Sequence, residues 1–127
     1  MKQYHEPYRK KVSSGTGGKK VKFRDKKLAH VGGVFSATRV SDSDVRVKRR
    51  LRGGKTATKL KKASVVNVVT KTGVKRAKII RVLESRNPEF VRMNIVTKGV
   101  ILETDIGKVR VTNRVGQDGI VNGILIT

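Results

Sequence analysis

The chain has 127 residues, enough for one domain with a tail, and a formal net charge of +22 from 31 Lys and Arg against 9 Asp and Glu. A compact monomer with that excess repels itself, so a polyanionic partner is expected. With no cysteine there is neither a disulfide framework nor a thiolate metal site, and no apolar run approaches the roughly 20 residues that span a bilayer.

The opening stretch "MKQYHEPYRKK" is basic with no apolar run behind it, unlike a secretory signal. A soluble intracellular protein is expected. Residues 1–62 hold 20 Lys and Arg and 4 acids, whereas residues 63–127 hold 11 and 5. Apolar residues of the first part are few and scattered: Val21, Phe23, Leu28, Val31, Val34 and Phe35. "SSGTGGKK" at 13–20 is flexible by composition. Such a segment buries too little surface to offset its ordering entropy. Residues 1–45 are therefore expected to form an extended basic tail, and residues 46–127 a β domain.

Next comes "VKRRLRGGKTATKLKK" at 47–62. Its "GGKT" looks like the tail of a phosphate loop, which reads GxxxxGK[ST] between a strand and a helix. Gly54, Lys55 and Thr56 match the end, but Arg49 stands where the first glycine belongs. The residues that follow read as a strand, and no acidic metal-binding strand is evident. Two readings of Gly53-Gly54 remain compatible. One is a link between two strands. The other is a tight turn that brings backbone against a nucleic-acid phosphate. Five of the seven residues 46–52 are Arg or Lys, which favours the second.

Beyond residue 62 the pattern is β-branched. "ASVVNVVTK" (63–71), "TG" and "VKRAKIIRVLE" (74–84) read as strand, turn and strand. Strict alternation would put Lys78, Ile80 and Val82 on one side, and Ile79, Arg81 and Leu83 on the other. Pro88 marks a turn or a first helical turn. "VRMNIV" (91–96) fits either a short helix or a strand. Three apolar runs follow at 99–104, 108–112 and 119–126, with Gly107 and Asp118-Gly119 at the turns. Many short, regularly spaced strands predict an all-β fold: a small closed or nearly closed barrel.

Catalysis finds little support. His5 and His30 lie in the tail, away from any scaffold, and read as solvated or RNA-stacked histidines. Glu84, Glu89, Glu103, Asp105 and Asp118 are scattered. Glu103 and Asp105 share strand parity, but no pocket is evident around them. No metal, cofactor or small-molecule substrate is expected. Aromatic residues, on which bases stack, number five: Tyr4, Tyr8, Phe23, Phe35 and Phe90. They do not form the paired signature of a sheet that reads single-stranded RNA. The basic half looks built for phosphates and shape, not for reading bases. Composition alone leaves a DNA-compacting chromatin protein as the alternative.

The segments "RKKVSSGTGGKK", "RDKKLAHVGG", "TRV" and "VKRRLRGGK", followed by "NPEFVRMNIVTKGVILETDIGKVRVTNRVGQDGIVNGILI", resemble a family in order and spacing. It is the archaeal and eukaryotic small-subunit ribosomal protein family S-eight-e. The closest stretch follows that family's pattern of Asn-Pro, Arg-x-Asn-Ile-x-Thr-Lys-Gly, Glu-Thr-x-Ile-Gly and Gly-Gln-Asp-Gly-x-Val-Asn. Where that family often carries a Trp near its start and an Asn after the paired glycines, this chain has Tyr or His and Lys55. The length resembles the archaeal form.

The resemblance implies a β-barrel with a long basic N-terminal extension, placed in the cytoplasmic ribosome. The implied partners are small-subunit rRNA of the 16S type and neighbouring small-subunit ribosomal proteins, with no membrane. It implies RNA-facing roles for Arg9, Lys10, Lys11, Gly17, Gly18, Lys19, Lys20, Arg24, Lys26, Lys27, Thr38, Arg39, Arg49, Arg50, Arg52, Gly53, Gly54 and Lys55. On charge alone, Lys75, Arg76, Arg92, Lys98 and Arg114 join them.

Overall fold

The computed structural model describes residues 4–5, 12–20 and 26–126. The chain groups into two compact units, Met1–Phe35 and Ser36–Thr127. Residues 36–45, which composition places with the tail, thus belong to the second unit. In the first unit, Tyr4 bridges Val31 and Val12 bridges Lys19. The second bridge closes a turn in which the Ser13 amide donates to the Gly18 carbonyl at 2.9 Å. Leu28–His30 forms a single 3-10 turn.

The second unit is all-β, with two sheets. Strands β1 (Arg39–Val40), β2 (Val45–Arg50) and β3 (Thr56–Ala63) form a three-stranded sheet in the order β1-β3-β2. Strands β4 (Val65–Thr70), β5 (Gly73–Glu84), β6 (Ile101–Thr104), β7 (Gly107–Val111) and β8 (Asn122–Leu125) close a barrel. The barrel closes by a parallel pairing of β8 with β4, and its other pairs are antiparallel. Closure leaves these strands no free edge. Two short helices interrupt the strands, α1 (Pro88–Arg92) and α2 (Val115–Asp118).

Local chemistry explains the boundaries. "TKTG" and "TDIG" make the same hairpin turn twice. The Thr70 hydroxyl donates to the Gly73 carbonyl at 2.7 Å, and the Thr104 hydroxyl to the Gly107 carbonyl at 2.7 Å. Pro88 opens α1, where its missing N–H costs nothing, and the Asn87 side chain caps the helix by accepting from the Glu89 amide at 3.1 Å. "VRMNIV" divides: Val91 and Arg92 finish α1, while Ile95 bridges to Arg39. The Asp118-Gly119 pair ends α2, with Gly119 in the left-handed region.

The core is aliphatic. Val66, Val68, Ala77, Ile79, Val82, Leu102, Val109 and Val111 point into the barrel, joined by Leu60, Val96, Val100, Val115 and Val121. It is packed closely enough that a Cβ on Gly123 would lie 2.4 Å from Val109 Cγ1, so β8 passes only as glycine there. Strict alternation fails in β5. Ile79 and Val82 are both buried, while Ile80 and Arg81 between them are exposed. The ladder to β6 shifts register between Ile79 and Arg81, and one extra residue reverses the parity.

Residues 36–38 are pinned beneath β3. Thr38, buried, donates its hydroxyl to the Leu60 carbonyl at 2.7 Å, and its own carbonyl accepts from the Val96 amide at 2.8 Å. Ala37 between two buried hydroxyl residues has φ 39, a conformation a Cβ disfavours.

Candidate nucleic-acid interface

The "GGKT" stretch sits at the tip of the β2–β3 hairpin. Arg50 pairs with Thr56, and the Leu51 amide donates to the Lys55 carbonyl at 2.6 Å. Gly53 and Gly54 have φ 75 and 74, so the turn requires left-handed backbone twice in succession, which glycine adopts without strain. Thr56 opens a strand and not a helix. The phosphate-loop context is therefore absent, and the glycines serve a hairpin turn.

Every residue of β2 is exposed, and four of its six are Arg46, Lys48, Arg49 and Arg50. The register puts Arg46, Lys48 and Arg50 opposite Leu60, Thr58 and Thr56 on one face, and Val47 and Arg49 opposite Lys59 and Ala57 on the other. Leu60 is buried, and a Cβ on Gly119 would meet the Thr58 carbonyl at 3.4 Å, so the first face leans on α2 near its base. Towards the tip both faces are open.

The base of the hairpin is fixed by Arg46 and Asp44. Arg46 Nε donates to the Gly119 carbonyl at 2.9 Å and its Nη2 pairs with Asp44 at 2.9 Å. Asp44 also accepts from the Ser64 amide at 2.8 Å and the Ser64 hydroxyl at 2.9 Å. Burial works to raise the Asp44 carboxyl, but these Ser64 and Arg46 donors outweigh it and hold it below the usual carboxylate range. Among the described residues, Lys48, Arg49, Arg50 and Lys55 have no acidic partner. Four of the other acids are occupied locally: Glu103 by Arg81, Glu89 by Arg92, Asp105 by the Lys78 amide, and Asp118 by Asn113 and the Arg114 amide.

Of the residues singled out from sequence, the structure brings together Arg49, Arg50, Gly53, Gly54 and Lys55 on the hairpin. Arg39 joins the same sheet as the Cα partner of Lys62. Gly17, Gly18 and Lys19 lie exposed in the Val12–Lys19 turn with Lys20 just after it, and Lys26 and Lys27 precede the 3-10 turn. Arg9, Lys10, Lys11 and Arg24 lie outside the described residues, as does the side chain of Arg52. Lys75 and Arg76 (on β5), Arg92 (ending α1), Lys98 (before β6) and Arg114 (capping α2) stand on other elements.

Thr38 does not belong to the surface. Its side chain is 1% exposed and its hydroxyl is engaged inside the fold. Lys48 and Lys62, not among the residues singled out from sequence, stand on the same three-stranded sheet, and "VKRRLRGGKTATKLKK" contains both. Their signal was the basic run itself, which places them on paired strands once the hairpin is drawn. His5 and His30 meet through backbone, the His5 amide donating to the His30 carbonyl at 2.9 Å. No group of three metal-ligating side chains occurs among the described residues.

The chain matches the family described as Ribosomal protein S8e over residues 8–126. It is 44% identical over 115 residues to a protein of Sulfolobus acidocaldarius, covering 87% of this chain and 89% of that one. It is 43% identical over 116 residues to one of Hyperthermus butylicus, covering 87% and 85%. A protein of Ignicoccus hospitalis is 39% identical over 130 residues, covering 99% and 98%. All three are called small ribosomal subunit protein eS8.

Proposed function

The chain belongs to the ribosomal protein S8e family, and from that premise we propose that it holds small-subunit rRNA of the 16S type through the β2–β3 hairpin and the basic N-terminal segment. It is a structural protein of the small ribosomal subunit and not an enzyme, and its place is the cytoplasmic ribosome. The observation that carries the RNA reading is β2. A strand exposed along its whole length, with three cations that no acid balances, adds charge repulsion to the fold and little burial. Phosphates resolve that repulsion. Lys48 and Lys55 supply point charges, and Arg49 and Arg50 can also bridge two phosphate oxygens. Lys19, Lys20, Lys26 and Lys27 extend the same chemistry into residues 1–35, which we assign as the tail that orders on RNA, while residues 36–45, basic-tail-like in composition, fold with the β domain.

The test is affinity for small-subunit rRNA across a salt series. Counterion release predicts a log–log slope of roughly −0.7 to −0.9 per neutralised phosphate, hence a steep loss between low and physiological salt. A flat response sinks the phosphate reading. Tighter binding to duplex DNA than to structured RNA at equal salt would point to a chromatin protein instead. Trypsin acting on the free protein should remove the tail and leave a β fragment. Resistance of the tail without RNA would overturn the two-part assignment.

A further inference from the structure

The closed barrel carries an outward apolar cluster that neither the core nor the hairpin uses. Val69 on β4 is the Cα partner of Val74 on β5 and of Ile124 on β8. Three branched side chains therefore stand side by side across three adjacent strands, on one face of the sheet. The face is the outer one, because Val68 and Gly123, next in sequence to Val69 and Ile124, are buried. The exposures are 49% for Val69, 68% for Val74 and 52% for Ile124.

The rim of this cluster is basic. Arg110 is the Cα partner of Ile124, and Arg76 that of Asn67, one outward step along β4 from Val69. Lys71 lies in the turn between Val69 and Val74. Outward positions of β4, β7 and β8 hold Val65, Asn67, Val69, Lys108, Arg110, Asn122 and Ile124, with no Asp or Glu. Neither Arg76 nor Arg110 has an acidic partner among the described residues.

We propose that the face formed by Val69, Val74 and Ile124 is a docking surface for a protein segment carrying aliphatic anchors flanked by Asp or Glu. Charge complementarity selects an anionic partner. The apolar centre then separates protein from RNA. Bases stack on aromatic rings or guanidinium planes, and three branched aliphatic side chains offer no flat platform. Aliphatic anchors gain from burying them. A second copy is the wrong occupant, because a two-fold contact would set Arg76 and Arg110 of both copies around one centre. The two surfaces then divide the work, with RNA on the hairpin and protein on the barrel. The proposal rests on incorporation into the small subunit, and the experiment separates the two claims.

The chain has no native cysteine, so single-cysteine variants label cleanly. Val74→Cys and Ile124→Cys would each be probed with a maleimide, free in solution and in purified small subunits. A photo-crosslinker attached to the thiol of the Val74→Cys variant would report the neighbour, with its peptide identified by mass spectrometry. We expect labelling about tenfold or more slower in the subunit, as for the core of an interface. We also expect crosslinks to a protein segment rich in Leu, Ile or Val beside Asp or Glu. Unchanged labelling in incorporated protein overturns the proposal, as do crosslinks to RNA alone or to a second copy. Absence of the chain from the subunits would overturn the ribosomal reading and this proposal with it, an outcome recognisable by sedimentation before any labelling.

Discussion

Strands β2 and β4 are each six residues long, and each pairs antiparallel with the strand after it. In β4, Val66 and Val68 are fully buried; in β2, Val45 and Val47 remain 38% and 45% exposed. Both strands show apolar residues at a spacing of two. The period reports a strand, but only a covering layer makes one face a core. β4 is covered because the barrel closes on itself. β2 is the outer strand of a three-stranded sheet, and its cations would by themselves discourage edge-to-edge pairing. Protecting an edge needs a charge or two, whereas Lys48, Arg49, Arg50 and Lys55 are four uncompensated cations on one hairpin. That excess is what points to a partner.

The comparison breaks most visibly under truncation of the core. Leu102 in β6 is 0% exposed, and Leu102→Ala should cost about 2–5 kcal/mol through lost burial and a residual cavity. Val47→Ala in β2 should change stability by less than about 0.5 kcal/mol. Urea midpoints of the two variants check this, and similar losses would mean that β2 is covered in solution.

Legibility from sequence follows the same division. The β-branched runs at 63–71 and 74–84 announce β4 and β5, because alternating Val and Ile must find a core. Pro88 marks a turn or a first helical turn by local chemistry alone, and the fold makes it the opening of α1. The bulge in β5 is not legible: nothing in "AKIIRVLE" says that Ile80 is the extra residue, since the register is set by β6. The resemblance puts Thr38 among the RNA-facing residues, and only the tertiary fold supplies the Leu60 carbonyl that buries it. The hairpin charges were legible as a run, but Lys48 and Lys62 gained their positions only from strand pairing.

A second variant sharpens the contrast from the other side. Lys48→Ala, Arg49→Ala and Arg50→Ala together should weaken RNA binding about 10- to 100-fold at physiological salt. They should also lower the salt slope by roughly 2–3, at about 0.7–0.9 per lost phosphate contact. Stability should stay within about 0.5 kcal/mol, because these side chains bury nothing. Filter binding and thermal melting read the two effects separately. Loss of both together would mean that the cations hold the fold.

A smaller effect is expected where the polar residues of 36–38 meet the core. Thr38→Val keeps the shape and removes the donor to the Leu60 carbonyl, for an expected loss of about 1–2 kcal/mol. RNA affinity measured under folding conditions should not change. A drop in affinity without a drop in stability would return Thr38 to the interface.

The smallest effect is expected at the seam, where Ser64 alone separates β3 from β4 and Asp44 ties it to the start of the hairpin. The Asp44 carboxyl is held below its ordinary range in the folded chain. As pH falls, the unfolded chain therefore takes up its proton first, and stability rises with pH across that window. The contribution is complete above the ordinary carboxylate range and disappears as pH drops through the lowered folded value. Asp44→Asn should cost about 1 kcal/mol at neutral pH, from weakened charge-assisted bonds to Ser64 and Arg46. The gap from the parent should close in acid, where both side chains are neutral. Denaturant midpoints of parent and variant from neutral to acid pH isolate this group from the other carboxylates. A gap independent of pH would show that Asp44 acts by shape alone. Arg46 would then be held to the barrel by its bond to the Gly119 carbonyl, and the hairpin would keep its orientation without the ion pair.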